Sequence, residues 1–194
     1  MQTKTLGFAM CGSFCTLARA MEQMRRLAEA GYRILPIMSE ITARTDTRFG
    51  RAADFMQEAQ EICGQPVLHT IPETEPIGPK RMVDLMVVAP CTGNTLAKLA
   101  HGVTDTAVTM AVKSSLRVQL PVLLTLATND ALAASGQNIG RLLNTKNIYF
   151  TPFAQDDPLQ KPTSLVAKFD LLPEAVAAAL EGQQLQPIVQ GIAD

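Results

Sequence analysis

The sequence is poor in the residues that build metal and disulfide sites, with four cysteines and two histidines in 194 residues. Cys11 and Cys15 are the only close pair, and C-x-x-x-C is neither a thioredoxin-type nor a zinc-knuckle spacing. His69 and His101 both lie several residues away from any cysteine. We therefore expect a reducing compartment, no metal ion, cysteines that serve as small packing residues, and histidines with structural roles.

An excess of one charge is also missing, as is any long apolar run. Lys and Arg number 17 against 18 Asp and Glu, so no basic field is available to attract nucleic acid. No segment approaches the ~20 apolar residues that span a bilayer, and no signal peptide precedes the first strand-like stretch. With 47% hydrophobic and 18% charged residues, the sequence predicts a cytoplasmic protein that binds neither nucleic acid nor membrane, with residues 1–194 as one domain.

Short apolar runs alternate with amphipathic stretches along the chain, which predicts an α/β fold with a doubly wound parallel sheet. The first run, the turn at Gly12 and the period of Leu17, Met21 and Met24 form one βαβ unit. Predicted strands cover 5–9, 32–38, 66–71, 85–89, 121–127 and 148–150; predicted helices cover 17–28, 47–63, 95–100, 105–115, 131–143 and 173–180; residues 72–80 form an irregular connection.

Ligands of such sheets bind beyond the carboxyl ends of the strands, so the turn after the first strand is a candidate site. Gly12 lets the backbone approach a ligand, Ser13 offers a hydroxyl, and the turn Gly12-Ser13-Phe14 leads into a helix whose free amides point at an anion. Because the next glycine is Gly31, the G-x-G-x-x-G fingerprint is absent and a mononucleotide is favoured over NAD. A plain strand-to-helix turn explains Gly12-Ser13 equally well.

Three further turns follow predicted strands and should meet at the same edge. Ser39 and Thr42 place two hydroxyls one helical turn apart, which suits either a phosphate or an ordinary helix cap. After Pro90, the cluster Thr92, Asn94 and Thr95 suits a flat heteroaromatic ring with polar edges. Asn129 follows the next strand, where its amide suits a substrate carboxylate or the N-cap of a helix.

In this order, the four turns resemble those of the homo-oligomeric flavoprotein family of cysteine decarboxylases and flavin prenyltransferases. The matching residues are Gly12-Ser13, Ser39, the run Pro90-Cys91-Thr92-Gly93-Asn94-Thr95, which is the most specific, and Ala127-Thr128-Asn129, which is the weakest. The resemblance implies a Rossmann-like flavoprotein fold, a homo-oligomer, and FMN bound with Gly12-Ser13 beside the ring and Ser39 at the phosphate.

Further stretches resemble a subgroup of that family whose members form one component of a two-component oxidoreductase. They include Thr47-Arg48-Phe49-Gly50, Gly78-Pro79-Lys80, Thr128 to Leu132, 146–150 and 164–167. This resemblance implies that the chain acts together with a separate NAD(P)-binding protein. The two would oxidise the dihydro form of a heterocyclic dicarboxylate in the mother cell of a sporulating bacterium. Two carboxylates call for cations, and Arg48, Lys80 and Lys113 are the candidates. No general base can be assigned.

Two departures from the decarboxylases disfavour their reaction. Their catalytic histidine corresponds to Pro76, whose ring neither takes nor gives a proton, and no cysteine follows Cys91. A protein that keeps the turns without the cofactor, acting as a scaffold for its partner, is therefore an open alternative. The short helix with small residues at 107–111 suits burial between protomers.

Overall fold

The centre of the protein is a seven-stranded sheet, seen in a computed structural model that describes residues 3–191. Its strands are β1 (Thr5–Met10), β2 (Arg33–Met38), β3 (Leu85–Cys91), β4 (Val122–Thr128), β5 (Ile148–Phe150), β6 (Phe153–Ala154) and β7 (Leu165–Ala167). They lie in the order β2-β1-β3-β4-β7-β6, with β5 beside the first half of β4. The strands β1 to β5 are parallel, and β7 runs antiparallel to both of its neighbours, β4 and β6.

Helices cover both faces of this sheet, which confirms the doubly wound architecture. They are α1 (Phe14–Glu29), α2 (Ala52–Cys63), α3 (Ile71–Thr74), α4 (Gly93–His101), α5 (Ala107–Arg117), α6 (Gly136–Leu143) and α7 (Leu172–Leu180). One core packs α1, α2 and α7 on the sheet, and the other packs α4, α5 and α6 on its opposite face. All seven residues of β3 and all seven of β4 are buried, as continuous apolar runs between two helical layers should be.

Some predicted elements form differently because local hydrogen bonds compete with the expected pattern. The strand predicted at 66–71 is reduced to a bridge between Leu68 and Ile37, since Thr70 starts α3 with a capping box to Glu73. The connection at 72–80 holds α3 and a 3-10 turn, Glu75–Ile77, because its prolines occupy first-turn positions. The strands β6 and β7 were not predicted, since two or three residues carry no readable period.

Three helices begin later than predicted, α5 by two residues and α2 and α6 by five each. Residues 47–50 form a closed turn, so α2 begins at Ala52 and not at Thr47. The amides of Ala133 and Ser135 donate to the Asp130 carbonyl, so α6 begins only at Gly136.

The small residues at 107–111 do not form a surface for another protomer, as the sequence suggested. Ala107, Val108 and Ala111 are fully buried in the core of this chain, so the expectation for this helix is wrong. Cys11 and Cys91 pack in the interior as expected, whereas Cys15 is exposed. Within residues 3–191, no helix has the length and apolar character needed to cross a membrane.

Candidate functional site

A cleft of about 1130 Å³ lies at the carboxyl edge of the parallel strands. Its floor is built by the turns that follow β1, β3 and β4, and its walls by the β2–α2 and β6–β7 connections. Seven of the predicted site residues line it: Gly12, Ser13, Phe14, Arg48, Thr92, Asn94 and Asn129. Polar turns from separate parts of the chain therefore meet at one rim, as the topology requires.

The turn after β1 offers unused donors to the cleft. No side chain caps the first turn of α1, and the Thr16 amide donates to the Ser13 carbonyl at 3.0 Å, so the amides of Phe14 and Cys15 are the ones open to an anion. A Cβ built at Gly12 would meet only the Phe14 ring and Ile41, at ordinary distances of 3.5–3.9 Å. Protein packing alone does not require glycine at this position, and its absent side chain leaves the end of β1 open to a ligand.

The turn after β3 is divided between structural and free groups. The Thr92 hydroxyl caps α4 by accepting from the Thr95 amide at 3.2 Å. Thr95 is buried, and its hydroxyl donates to the Cys11 sulfur at 3.2 Å, so it holds the turn to β1 and does not line the cleft. Burial raises the pKa of Cys11 to about 11, which keeps this thiol neutral. Asn94 is exposed on the cleft, and its amide has no side-chain hydrogen bond to any residue in 3–191.

Asp130 is a fixed anion of the cleft that the sequence did not single out. Its Oδ1 accepts from the Thr128 hydroxyl at 2.6 Å and from the Ser135 hydroxyl at 2.9 Å. The bond from Thr128 lowers the pKa of this carboxyl, partial burial opposes it, and the bond from Ser135 lowers it further. The net effect is a carboxylate that stays ionised and oriented.

Gly93 is required beside this carboxylate. A Cβ there would lie 2.5 Å from Thr128 Oγ1 and 3.0 Å from Asp130 Oδ1. The start of α4 therefore reaches the Thr128–Asp130 turn only because position 93 has no side chain. The glycine of the Pro90–Thr95 run was visible in the sequence, but nothing there shows what it approaches.

Ser39 and Thr42 lie at the predicted edge but outside the cleft lining. The Ser39 amide donates to the Met10 carbonyl at 3.0 Å, which fixes the turn beside β1. The two hydroxyls bond to each other at 2.8 Å, the Thr42 amide donates to Ser39 Oγ at 3.2 Å, and Thr42 is buried. The pair thus closes a turn at 40–44 and caps no helix, because α2 begins only at Ala52. Pro90 is also buried within β3, where its carbonyl accepts from the Cys11 amide at 3.3 Å.

Two of the predicted substrate cations are far from the cleft. Lys80 is exposed in the connection that enters β3, at the amino edge of the sheet. Lys113 is exposed on α5 next to Ser114, which accepts from the Gly78 amide at 2.8 Å in that same region. Neither lysine lines the cleft. Both lysines precede a strand in the sequence, so the strand-end rule that located the turns already argued against placing them at the carboxyl edge.

The β6–β7 connection supplies cleft residues that the sequence analysis missed. Lys161 Nζ and Asp156 Oδ2 form an ion pair of 3.0 Å, and both residues line the cleft. Burial raises the pKa of Asp156, but hydrogen bonds from Ser164 and Lys161 outweigh it and the net shift is downward. These residues lie at least six positions beyond the last predicted strand, 148–150. The rule that selects the turn directly after each strand therefore did not include them.

Two further polar residues of the cleft lining are Asn129, a predicted site residue, and His101, which was not one. Asn129 is exposed, and its N-cap interpretation is wrong because α6 begins at Gly136 with Ser135 at its N-cap. His101 was expected to be structural, yet it lines the cleft, with Nδ1 2.8 Å from the Ala97 carbonyl oxygen. Among residues 3–191, no group of three His, Cys, Asp or Glu side chains could hold a metal ion.

Comparison with known proteins defines the class to which this fold and cleft belong. Residues 1–179 match the Flavoprotein family, and the chain belongs to that family. It is similar to the B subunit of dipicolinate synthase from Bacillus subtilis (strain 168), with 44% identity over 189 residues that cover 97% of this chain and 94% of that protein.

Solved structures agree with this assignment. The crystal structure of the dipicolinate synthase B subunit from Bacillus halodurans has a TM-score of 0.90 and 44% identity, covering 98% of this chain and 97% of that one. The FMN-dependent cysteine decarboxylase SpaF has a TM-score of 0.65 and 20% identity, covering 93% and 96% of the two chains. The latter likeness shows the Rossmann-like flavoprotein fold alone.

Proposed function

We propose that this chain is the B subunit of a dipicolinate synthase. With a separate NAD(P)-binding protein, the A subunit of dipicolinate synthase, it oxidises a dihydrodipicolinate-type precursor to dipicolinate in the mother cell of a sporulating bacterium. The observation that carries the proposal is 44% identity to a dipicolinate synthase B subunit along 97% of the chain. The chain is proposed to act as a homo-oligomer, as its family resemblance implies.

The residues of the cleft fit FMN. Gly12 leaves the end of β1 open, the first turn of α1 offers uncapped amides, and Asn94 has a free side-chain amide. These groups, with Ser13, Phe14 and Thr92, would hold the cofactor. Since the Ser39 and Thr42 hydroxyls bond to each other, the α1 amides are the better donors for a phosphate. When bound, FMN would supply an acceptor for the hydride that leaves the substrate ring.

The protein side chains bind and orient the substrate in this proposal. Aromatising a dihydro ring removes one hydride and one proton, and the chain lacks the dinucleotide fingerprint, so the nicotinamide is assigned to the partner. Arg48 offers a guanidinium to a carboxylate, and Asn129 offers an amide from the neighbouring wall. Phe14 and Val166 provide apolar lining that displaces water from the ring.

A scaffold protein without cofactor is the second candidate, and the mutual bond of Ser39 and Thr42 favours it. In that case the turn that the family resemblance assigns to the phosphate lies outside the cleft lining, with its two hydroxyls bonded to each other. A stand-alone cysteine decarboxylase is disfavoured, because Pro76 offers no proton-transfer group and no cysteine follows Cys91.

Reconstitution separates these functions. The purified chain is scanned for flavin absorbance and then mixed with its cognate NAD(P)-binding partner, NAD(P) and the precursor, and dipicolinate is measured; each protein alone is the control. A yellow chain that is required for product formation supports the oxidoreductase function. A colourless chain that still raises the partner's turnover supports the scaffold. No effect on product formation contradicts both.

A further inference from the structure

Two cations enter the cleft from opposite ends of the strand order. Arg48 belongs to the β2–α2 connection, and β2 is one end of the sheet. Lys161 belongs to the β6–β7 connection, and β6 is the other end. The turns after β1, β3 and β4 form the floor between them. A ligand between the two walls of the cleft therefore meets one positive side chain on each side.

Arg48 is presented by a turn that its own hydrogen bonds close. The Thr47 amide donates to the Gly50 carbonyl at 3.0 Å, and the Gly50 amide donates back at 3.1 Å. The guanidinium carbon of Arg48 lies 4.8 Å from the centre of the Phe49 ring, and Phe49 also lines the cleft. No carboxylate within residues 3–191 pairs with Arg48, so its planar fork is free to bind one from a ligand.

Neighbouring residues orient Lys161 but leave hydrogen-bond donors of its ammonium group free. The Lys161 amide donates to the Asp157 carbonyl at 2.7 Å, and the Lys161 carbonyl accepts from the Ser164 amide at 3.0 Å. The ammonium makes one bond of 3.0 Å to Asp156, and the Lys161 side chain is 56% exposed. Since an ammonium has three donors, two remain for a ligand.

We infer that Arg48 and Lys161 each bind one carboxylate of a planar heterocyclic dicarboxylate that lies across the cleft. This inference rests on the proposed function and specifies how the substrate class is selected. Asp156 is paired with Lys161, and Oδ1 of Asp130, which keeps its negative charge, is turned to the Thr128 and Ser135 hydroxyls. The Arg48 guanidinium and the two free donors of Lys161 therefore remain for the carboxylates of the ligand. A monocarboxylate satisfies one cation only, so the cleft prefers the dicarboxylate.

The preference is measured by calorimetric titration of the purified full-length chain, in buffer free of divalent cations. The probes are pyridine-2,6-dicarboxylate and pyridine-2-carboxylate, and the variants are Arg48→Gln, Lys161→Gln and Lys161→Arg. Lys146→Gln is the matched control, because Lys146 is exposed and outside the cleft lining. Thermal unfolding of each variant checks that it is folded.

The wild-type chain and the Lys146→Gln variant should bind the dicarboxylate about 10- to 100-fold more tightly than the monocarboxylate, as a charge-assisted hydrogen bond predicts. Arg48→Gln and Lys161→Gln should each bring the two affinities to within about threefold, and Lys161→Arg should restore part of the ratio. An unchanged ratio in folded Lys161→Gln, or no preference in the wild-type chain, overturns the inference.

Failure of the inference and failure of the proposed function give different results. If dipicolinate forms with the NAD(P)-binding partner but neither cation affects the ratio, the function stands and the two-cation site does not. If the ratio behaves as expected but no dipicolinate forms, the site stands as a dicarboxylate site and the proposed reaction is wrong.

Discussion

The turns after β1 and β2 look alike in sequence but differ in what they offer a ligand. Each follows a buried strand and carries hydroxyl side chains at the same edge of the sheet. In both turns two hydroxyls bond to each other, Ser39 with Thr42 and Ser13 with Thr16. Ser39 also accepts from the Thr42 amide, whereas no side chain caps the first turn of α1, which faces the cleft. A polar turn therefore becomes a candidate site only where its donors lack partners within the protein.

The largest effect on stability is expected from the substitution of Gly93, and Gly12 is the comparison because its surroundings are open. Gly93→Ala puts a Cβ 2.5 Å from Thr128 Oγ1, whereas Gly12→Ala meets nothing closer than 3.5 Å. We expect Gly93→Ala to lower the free energy of unfolding by about 1–3 kcal/mol, and Gly12→Ala to change it by less than about 1 kcal/mol. Urea denaturation measures both, and equal losses would contradict the close approach at Gly93.

Gly12→Ala should instead weaken ligand binding. If glycine keeps the end of β1 open for FMN, the alanine variant retains less FMN while its stability is nearly unchanged. Cofactor content after purification measures this effect, with the wild-type chain as reference. Full retention would mean that the ligand does not approach Gly12.

Asn94→Ala tests the one side chain of the turn after β3 that is expected to bind FMN through an unbonded amide. The Asn94 side chain has no hydrogen-bond partner within residues 3–191, so its loss should leave the unfolding free energy within about 0.5 kcal/mol of wild type. Loss of its hydrogen bond to FMN should weaken cofactor binding about tenfold. FMN titration by fluorescence measures the affinity, and unchanged affinity would remove Asn94 from the site.

Ser39→Ala tests the turn after β2, and it should lower stability without weakening FMN binding. The variant loses the bond to the Thr42 hydroxyl and leaves that buried group without its partner, which should cost about 1 kcal/mol of stability. FMN affinity should remain within about twofold of wild type, because Ser39 lies outside the cleft lining. A large loss of affinity with no loss of stability would restore Ser39 to the cofactor site.

The smallest expected effect is a change in the free energy of unfolding at acid pH. The folded pKa of Asp130 lies below its unfolded value of about 3.9, so its stabilising contribution is present above that pH. As the pH falls through the folded pKa, the contribution is lost. The stability difference between wild type and Asp130→Asn should therefore shrink from pH ~6 to pH ~2. A difference that grows on acidification would contradict an ionised, hydrogen-bonded Asp130.

The strand ends were predictable from sequence because buried runs such as β3 and β4 are long and apolar. The turns after them could be placed at one edge by topology alone, which located Ser13, Asn94 and Asn129. What sequence could not supply was the hydrogen-bond partner of each donor, as Ser39 shows. Lys161 was missed because two short antiparallel strands return the chain to the cleft without a period that can be read.

The central claim is that this cleft binds the dicarboxylate that the chain and its NAD(P)-binding partner oxidise together. The most direct test is the rate of dipicolinate formation by that partner mixed with the wild-type chain, with Arg48→Gln, or with Lys146→Gln. Product formation should require the chain, fall at least about tenfold with Arg48→Gln, and be unchanged with Lys146→Gln. Equal rates with wild type and Arg48→Gln, or the full rate from the partner alone, would contradict the claim.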